Sequence, residues 1–328
     1  MTTRGVRWRM AGVVAVVGVI ATGVGLVDTA RVDQGGERLG GLASAGDVVS
    51  AVPSPSDPAA ATASPTDPAA APAPSPEPST STASGGSTAQ RARLLETVVA
   101  AVTARAEGNV GVAVLDLATG RSATAGDDEH AFATASVAKV DILAALLLQA
   151  QQEGRELTAE EERLAAAMIQ VSDNAAADAL WRVIGGAEGL AEANERFGMT
   201  GTVPGADGHW GLTLTTPADQ LALLRTVFAE DSVLEAESRA RLQSLMGEIA
   251  EGQDWGVSAA AEGGDFALKN GWLPRSATGL WVVNSIGWVA VDGSDGLLVA
   301  VLSDGQLDQA SGISLVEDVA RAAVGVFR

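Results

Sequence analysis

Residues 136–152 read SVAKVDILAALLLQAQQ, and this stretch decides how the rest of the chain is interpreted. Its apolar side chains recur at helical spacing. Ser136 and Lys139 lie three residues apart at the start of the pattern, so their side chains share one face of the helix. We therefore predict a helix that carries a hydroxyl and an amine at its N-terminus.

Helical and strand patterns alternate outward from this stretch. Further helices are predicted over 91–106, from Thr158 (with Glu161 completing a capping box), after Asn174, after Thr216-Pro217 and over 311–327. Strands are predicted over 110–117, 121–125, 266–272, 280–291 and 297–303. Because short turns join neighbouring strands, the sheet should be antiparallel. The order predicts an α+β domain with an inserted all-helical subdomain, and a site in the cleft between the two.

Composition excludes several kinds of chemistry. The 328 residues carry a formal net charge of −20, which argues against nucleic-acid binding because phosphate contacts need clustered Lys and Arg. The chain has no Cys and no Tyr, so a thiol nucleophile, disulfides, thiolate metal sites and a tyrosinate base are excluded. His130 and His209 are the only histidines, and neither lies in a zinc-binding motif. No metal and no organic cofactor is predicted.

Lysine is scarce, since only Lys139 and Lys269 occur among 21 basic residues. Arginine cannot lose its proton in a protein, whereas a lysine can act as a base when burial and a second cation depress its pKa. A serine hydroxyl is a weak nucleophile until such a base takes its proton. The pair Ser136 and Lys139 therefore predicts nucleophilic catalysis.

Two further motifs extend this pair. Ser172-Asp173-Asn174 lies between two predicted helices, and Lys269-Asn270-Gly271 lies on a predicted strand. In this order, the three motifs resemble those of the penicillin-recognising serine enzymes, namely class A β-lactamases and their cell-wall peptidase relatives. The resemblance covers residues 91–328 and implies a five-stranded antiparallel sheet flanked by terminal helices, with the helical subdomain inserted. The absence of Tyr excludes the branch whose middle motif begins with that residue.

The resemblance implies catalytic roles for four side chains. Ser136 would attack an amide carbonyl and Lys139 would accept its proton, while Ser172 would relay a proton to the leaving nitrogen with help from Lys269. The backbone amides of Ser136 and Trp272 would form the oxyanion hole.

Other residues are candidates for binding the substrate. Asn174 would hold a side-chain amide of the substrate, and Lys269 would attract its carboxylate. Further substrate-binding candidates lie on and after the last motif: Asn270, Gly271, Trp272 and Arg275. Asp173 is expected to order its own loop and not to touch substrate.

The sequence departs from the family pattern at residues that decide turnover. Asn270 stands where the family has Thr or Ser, and Trp272 places a bulky group beside the oxyanion position. The stretch 202–217, where a class A β-lactamase carries the glutamate that activates the deacylating water, has no glutamate. Asp207 and His209 are its candidate deacylation bases, with solvated loop residues as the alternative. A positioned general base contributes about 10²–10⁴-fold, so its loss would stall hydrolysis.

The first 90 residues predict export. Residues 1–9 carry arginines and should remain cytoplasmic, 10–27 form an apolar signal anchor, and 28–90 form a Pro/Ala/Ser/Thr-rich disordered linker. Residues 91–328 would then be an extracytoplasmic domain held at the cell membrane, or secreted if the segment is cleaved. A monomer is expected.

Three functions remain open at this point. The first is a serine hydrolase that acts on a β-lactam or a related cell-wall amide or ester. The second is a cell-wall D-Ala-D-Ala peptidase that β-lactams inhibit through slow deacylation, and the third is a non-catalytic cell-wall or β-lactam sensor.

Overall fold

The computed structural model describes residues 82–328. Its helices are α1 (Thr82–Thr103), α2 (Ala138–Gln152), α3 (Ala159–Gln170), α4 (Asn174–Val183), α5 (Gly186–Phe197), α6 (Pro217–Phe228), α7 (Ala236–Gly247) and α8 (Gln309–Gly325). Its strands are β1 (Asn109–Asp116), β2 (Ser122–Gly126), β3 (Phe132–Ala133), β4 (Leu214–Thr215), β5 (Phe266–Pro274), β6 (Trp281–Val289) and β7 (Leu297–Asp304). Short 3₁₀ turns cover Ala135–Val137, Trp210–Leu212 and Val257–Ala260.

The main sheet has five strands in the order β2-β1-β7-β6-β5, and every neighbouring pair is antiparallel. This confirms the predicted α+β fold with a five-stranded antiparallel sheet. The first and last helices of the domain, α1 and α8, lie on one face of the sheet. Leu95 and Val99 of α1 pack there together with Val316 and Val319 of α8. The inserted helices cover the opposite face. Since both faces are covered, the inner strands are apolar along nearly their whole length.

The helix α2 lies at the centre of the inserted subdomain. All residues from Val137 to Leu148 are buried, including Lys139 and Asp141. It contacts α3, α4, α5 and α7 of the same subdomain. Consequently the first turn of α2, which carries the predicted base Lys139 and directly follows the turn with the predicted nucleophile, is fixed by packing on several sides.

Local signals place the ends of two helices as predicted. Thr158 and Glu161 form a capping box at the start of α3, with each side chain bonded to the other's backbone N–H. The Thr216 side chain caps α6, and Pro217 takes its first position, where its missing N–H costs nothing.

Two predictions concern the N-terminal region. The helix α1 begins at Thr82, so the predicted linker end at residue 90 was wrong: residues 82–90 belong to a helix. Among residues 82–328, no helix is both long enough and apolar enough to cross a membrane. The predicted signal anchor, residues 10–27, lies outside the described residues, as does most of the predicted linker.

Candidate active site

Ser136 lies in the 3₁₀ turn that leads into α2, and its position is set from two sides. The preceding strand β3 pairs with β4, and the Thr134 N–H donates to Thr213 O at 2.8 Å. From the sheet, the buried Asn284 amide on β6 donates to Ala133 O (2.9 Å) and Thr134 O (3.0 Å). Ala135, directly before Ser136, has φ +48°, a conformation that costs a non-glycine residue energy and persists where its surroundings enforce it.

The edge strand β5 passes directly beside this turn. A Cβ atom added at Gly271 would lie 2.8 Å from the Ser136 nitrogen and 2.8 Å from Thr134 O. Real Cβ atoms do not approach backbone atoms this closely, so only glycine permits the contact. Gly271 therefore acts by bringing the strand of the third motif against the nucleophile.

Lys139 is fully buried and its amine points at the second motif. Its Nζ donates to Ser172 O at 2.6 Å, to Ser172 Oγ at 3.0 Å and to Asn174 Oδ1 at 2.7 Å. Three acceptors match the three hydrogens of an ammonium group. Within residues 82–328, no hydrogen bond to the Ser136 hydroxyl is present, so this hydroxyl is free of partners.

Lys269, on β5, also bonds the same serine. Its Nζ donates to Ser172 Oγ at 3.0 Å and to Asn270 O at 3.0 Å, and the side chain is 1% exposed. The Ser172 hydroxyl thus accepts a hydrogen bond from each lysine. The structure brings the three predicted motifs together at this one oxygen.

Both lysines have lowered pKa values. Burial lowers the pKa of Lys139 to about 8, although the carboxylates of Asp173 and Asp178 act in the opposite direction. Burial, with the charge of Lys139 nearby, lowers the pKa of Lys269 to about 7. Because desolvation disfavours the charged form, each amine can become neutral near physiological pH.

The middle motif sits on a strained turn. Ser172 has φ +56°, and Asp173 caps α4 by accepting the Ala176 N–H at 2.7 Å. Asp173 therefore orders its loop, as expected, while Asn174 begins the helix with its side-chain oxygen on Lys139.

The side chains that follow Lys269 do not point in the directions that substrate binding would require. The buried Asn270 amide donates to Gln253 O (2.8 Å) and Trp255 O (2.9 Å), so both of its hydrogens are used within the fold. The half-buried Trp272 ring lies 5.9 Å from the Trp255 ring, on the same side of the strand as Asn270. This placement does not support binding of a substrate carboxylate by Asn270, because successive strand residues face opposite sides. The exposed Arg275 lies in the turn after β5, with its backbone bonded to Leu280.

The loop 202–217 passes over the site without offering it a base. Asp207 and His209 are both exposed, and the His209 ring bonds to Ala206 O of its own loop at 3.1 Å. The neighbouring Trp210 instead reaches inward, with its ring centroid 4.9 Å from Lys139 Nζ. Its indole N–H donates to Asp178 Oδ1 at 2.7 Å.

Sequence reasoning missed three residues of this arrangement. Trp210 and Asp178 lie 32 residues apart in sequence and carry no motif. Asn284 was visible as a polar residue inside the apolar strand pattern VVNSIGW, which is a signal for a structural hydrogen bond. Within the described residues, no group of three or more His, Asp or Glu side chains could hold a metal ion.

Comparison with known proteins agrees with this architecture. A class A β-lactamase from Bacteroides cellulosilyticus superposes with a TM-score of 0.63 at 18% identity, over 72% of this chain and 98% of that one. A β-lactamase from Burkholderia vietnamiensis gives 0.61 at 25% identity, over 70% and 95%. The fold is that of the class A β-lactamases.

Sequence comparison then assigns the family. The model of the beta-lactamase enzyme family matches residues 93–161 and 152–327, and the chain belongs to this family. A protein of Mycobacterium tuberculosis and Mycobacterium bovis named as a candidate lipoprotein, LppW, is 30% identical over 174 residues, which cover 50% of this chain. The chain spans about half the length (54%) of these curated relatives.

Proposed function

We propose that this chain is a serine acyl-transfer enzyme whose Ser136 is acylated by a β-lactam or a related cell-wall amide. The observation that carries the proposal is the Ser172 hydroxyl, which accepts hydrogen bonds from both Lys139 and Lys269 at 3.0 Å. With both lone pairs occupied, the hydroxyl hydrogen is left to point elsewhere. A hydroxyl held in this way is suited to passing protons between an amine and a substrate atom.

The acylation step balances with these groups alone. Neutral Lys139 accepts the Ser136 proton as Ser136 Oγ bonds to the carbonyl carbon, and the ammonium so formed hydrogen-bonds Ser172. As the carbon–nitrogen bond breaks, the Ser172 proton moves to the leaving nitrogen and Ser172 is reprotonated from Lys139. Lys269 donates a hydrogen bond that holds Ser172 Oγ in place during this transfer, and the backbone amides of Ser136 and Trp272 serve the oxyanion.

The loop 202–217 favours a long-lived acyl-enzyme over rapid turnover. Its titratable side chains, Asp207 and His209, are exposed, and the inward-facing residue is Trp210, which cannot accept a proton. Without a positioned base, hydrolysis of the ester should be about 10²–10⁴-fold slower than with one. This supports the second candidate function, a penicillin-binding peptidase-like protein with slow deacylation.

The proposal includes a location and a domain order. The basic flank and apolar run at residues 10–27 support an anchor, and the naming of LppW as a candidate lipoprotein supports an extracytoplasmic protein held at a membrane. The anchor here would be the apolar segment itself, because the chain has no Cys to carry a lipid. Residues 28–81 would then be the spacer before the domain.

A time course with benzylpenicillin separates the candidates. The full chain is incubated with the drug while intact mass reports the adduct and chromatography reports the hydrolysed product. We expect stoichiometric adduct on Ser136, which peptide mapping locates, and product accumulating slowly. Rapid turnover would instead support a β-lactamase, and a protein that never forms an adduct would contradict acylation and favour the non-catalytic sensor.

The matched control is Ser136→Ala. It removes the nucleophile oxygen and leaves the lysines in place, so the adduct should be lost while circular dichroism and the melting temperature stay unchanged. An adduct that persists in this variant would refute the assignment of Ser136.

A further inference from the structure

Lys139 is covered by a ring of contacts that includes two residues outside the three motifs, Trp210 and Asp178. Trp210 lies across the amine, with the ring centroid 4.9 Å from Nζ. The indole N–H donates to Asp178 Oδ1 at 2.7 Å. Asp178 stands one turn after Asn174 on α4, and Asn174 Oδ1 accepts from Lys139 at 2.7 Å. The contacts therefore run from Lys139 through Asn174, α4, Asp178 and Trp210 back to Lys139.

The members of the ring differ in their exposure to water, and Asn174 is exposed. Asp178 is exposed and Trp210 is half-buried, whereas Lys139 is 0% exposed. Trp210 is also tied from its backbone, since its carbonyl accepts the Thr134 hydroxyl at 3.4 Å. One face of the Trp210 indole thus covers the Lys139 amine. The edge of the same ring is hydrogen-bonded to the Asp178 carboxylate at the surface.

The chemistry of an indole suits this place. Its face attracts an ammonium ion through the ring quadrupole, yet it neither gives nor takes a proton there. Its N–H is a donor only, and a charged acceptor makes that hydrogen bond stronger than a neutral one. Asp178 can therefore fix the ring without itself touching Lys139.

We propose that Trp210 and Asp178 form a latch that shields Lys139 from water, with Trp210 as the cover and Asp178 as the positioning residue. One part of this inference rests on the proposed function: by excluding water beside the acylated serine, the latch lengthens the lifetime of the acyl-enzyme. The shielding itself is a property of the free protein and is testable without any substrate.

Lysine labelling measures the shielding directly, because the chain has only two lysines. The full-length protein is treated with acetic anhydride over a range of pH, and peptide mass spectrometry follows acetylation of Lys139 and Lys269 separately. Lys269 is equally buried but has no contact with Trp210 among the described interactions, so it is the internal reference.

Asp178→Ala and Trp210→Phe each remove one partner of the latch bond. We expect each to raise the labelling rate of Lys139 about tenfold, the effect of losing one charge-assisted hydrogen bond, while that of Lys269 stays constant. Asp178→Asn is the matched control because its amide oxygen still accepts the indole N–H, and Lys139 should then label within about threefold of the wild-type rate. The double variant Asp178→Ala/Trp210→Phe should label no faster than either single variant, since both break the same bond.

The pH midpoint of labelling is a readout that a merely structural role would not move. Opening the latch hydrates the amine, so in Trp210→Ala the midpoint for Lys139 should rise from its value near 8. Asp178→Asn removes a negative charge and should lower it. Unchanged Lys139 labelling in Asp178→Ala and Trp210→Phe, or an equal rise at Lys269, would overturn the latch.

The acylation readout is scored separately. If the wild type forms no penicillin adduct, the proposed function fails, while lysine labelling still decides whether the latch exists. If the adduct forms, Asp178→Ala should shorten its lifetime severalfold relative to Asp178→Asn. Equal lifetimes in these two variants would overturn the role of the latch in prolonging the acyl-enzyme.

Discussion

At the scale of single residues, the site depends on two buried amines that can lose their charge. Burying these amines in their charged form would be energetically costly. Lys139 and Lys269 both donate to Ser172 Oγ, and their charges repel each other across that oxygen. Since the two amines interact, their proton losses belong to the pair and not to either residue alone. The buried pair therefore releases its first proton more easily than an exposed lysine does.

Acylation should rise with pH through the range in which these amines lose protons. The pKa of Lys269 is lowered to about 7 and that of Lys139 to about 8. Both amines are therefore charged below pH 6, and a neutral base is present above pH 8. We expect the initial rate of adduct formation to fall about tenfold per pH unit below 7, as measured by intact mass at short times.

Lys139→Arg tests whether this pH dependence reports a base. Arginine keeps the cation but cannot release its proton, so no adduct should form at any pH from 5.5 to 9. Lys269→Arg is the companion variant, in which Lys139 remains available and the rise with pH should persist. Acylation of Lys139→Arg at the wild-type rate would contradict the role of Lys139.

Gly271 matters for its missing side chain. In Gly271→Ala the new Cβ would lie 2.8 Å from Ser136 N and from Thr134 O, and neither backbone atom can move freely. We expect a loss of about 1–3 kcal/mol in the free energy of unfolding, from urea denaturation, and at least about a 100-fold slower acylation. Gly325→Ala is the control, since nothing lies within 4 Å of its Cβ and neither property should fall.

At the scale of elements, helix starts hold the site, and two caps of the same chemistry differ in what they support. Thr158 caps α3 far from the lysines, whereas Asp173 caps α4 between Ser172 and Asn174. The first cap contributes to stability alone. The second also fixes the two residues that receive the Lys139 hydrogen bonds.

Replacing each cap by alanine should separate these roles. Thr158→Ala and Asp173→Ala should each lower the free energy of unfolding by about 1 kcal/mol, measured by urea denaturation. Only Asp173→Ala should slow acylation, because it frees the turn at Ser172. An equal effect of both variants on acylation would show that the α4 cap has no special role.

At the scale of the whole molecule, the helix α2, which carries Lys139, also buries a carboxyl group in the core. Asp141 is 1% exposed, and its Oδ1 has no hydrogen-bond partner among the described residues. Burial raises the pKa of Asp141 to about 8, an effect that Asn194 opposes and the nearby charge of Asp219 reinforces. Because the folded state binds this proton more tightly than the unfolded chain, stability from this group is complete below about pH 4 and is lost as the pH rises towards 8.

Asp141→Asn should therefore be more stable than the wild type at pH 8, and the gain should shrink as the pH falls to 4. A tenfold change in proton affinity corresponds to about 1.4 kcal/mol, so the gain should be several kcal/mol. Thermal and urea denaturation across this range measure it. Asp308→Ala should give the opposite trend. Hydrogen bonds from the α8 backbone lower the pKa of Asp308, so removing this carboxylate should reduce stability least in acid. A gain independent of pH in Asp141→Asn would contradict the protonated state.

The sequence by itself determined the α+β class, most helix and strand positions, two helix starts and the residues of the three motifs. These depend on residues within a few positions of one another, whose spacing sets which faces they share. Tertiary structure decided the contacts across long separations: Lys139 bonds Ser172 and Asn174, Asn270 turns away from the cleft, and Trp210 covers the amine under Asp178. Spacing along one segment cannot fix such pairings, because they depend on how separate elements pack.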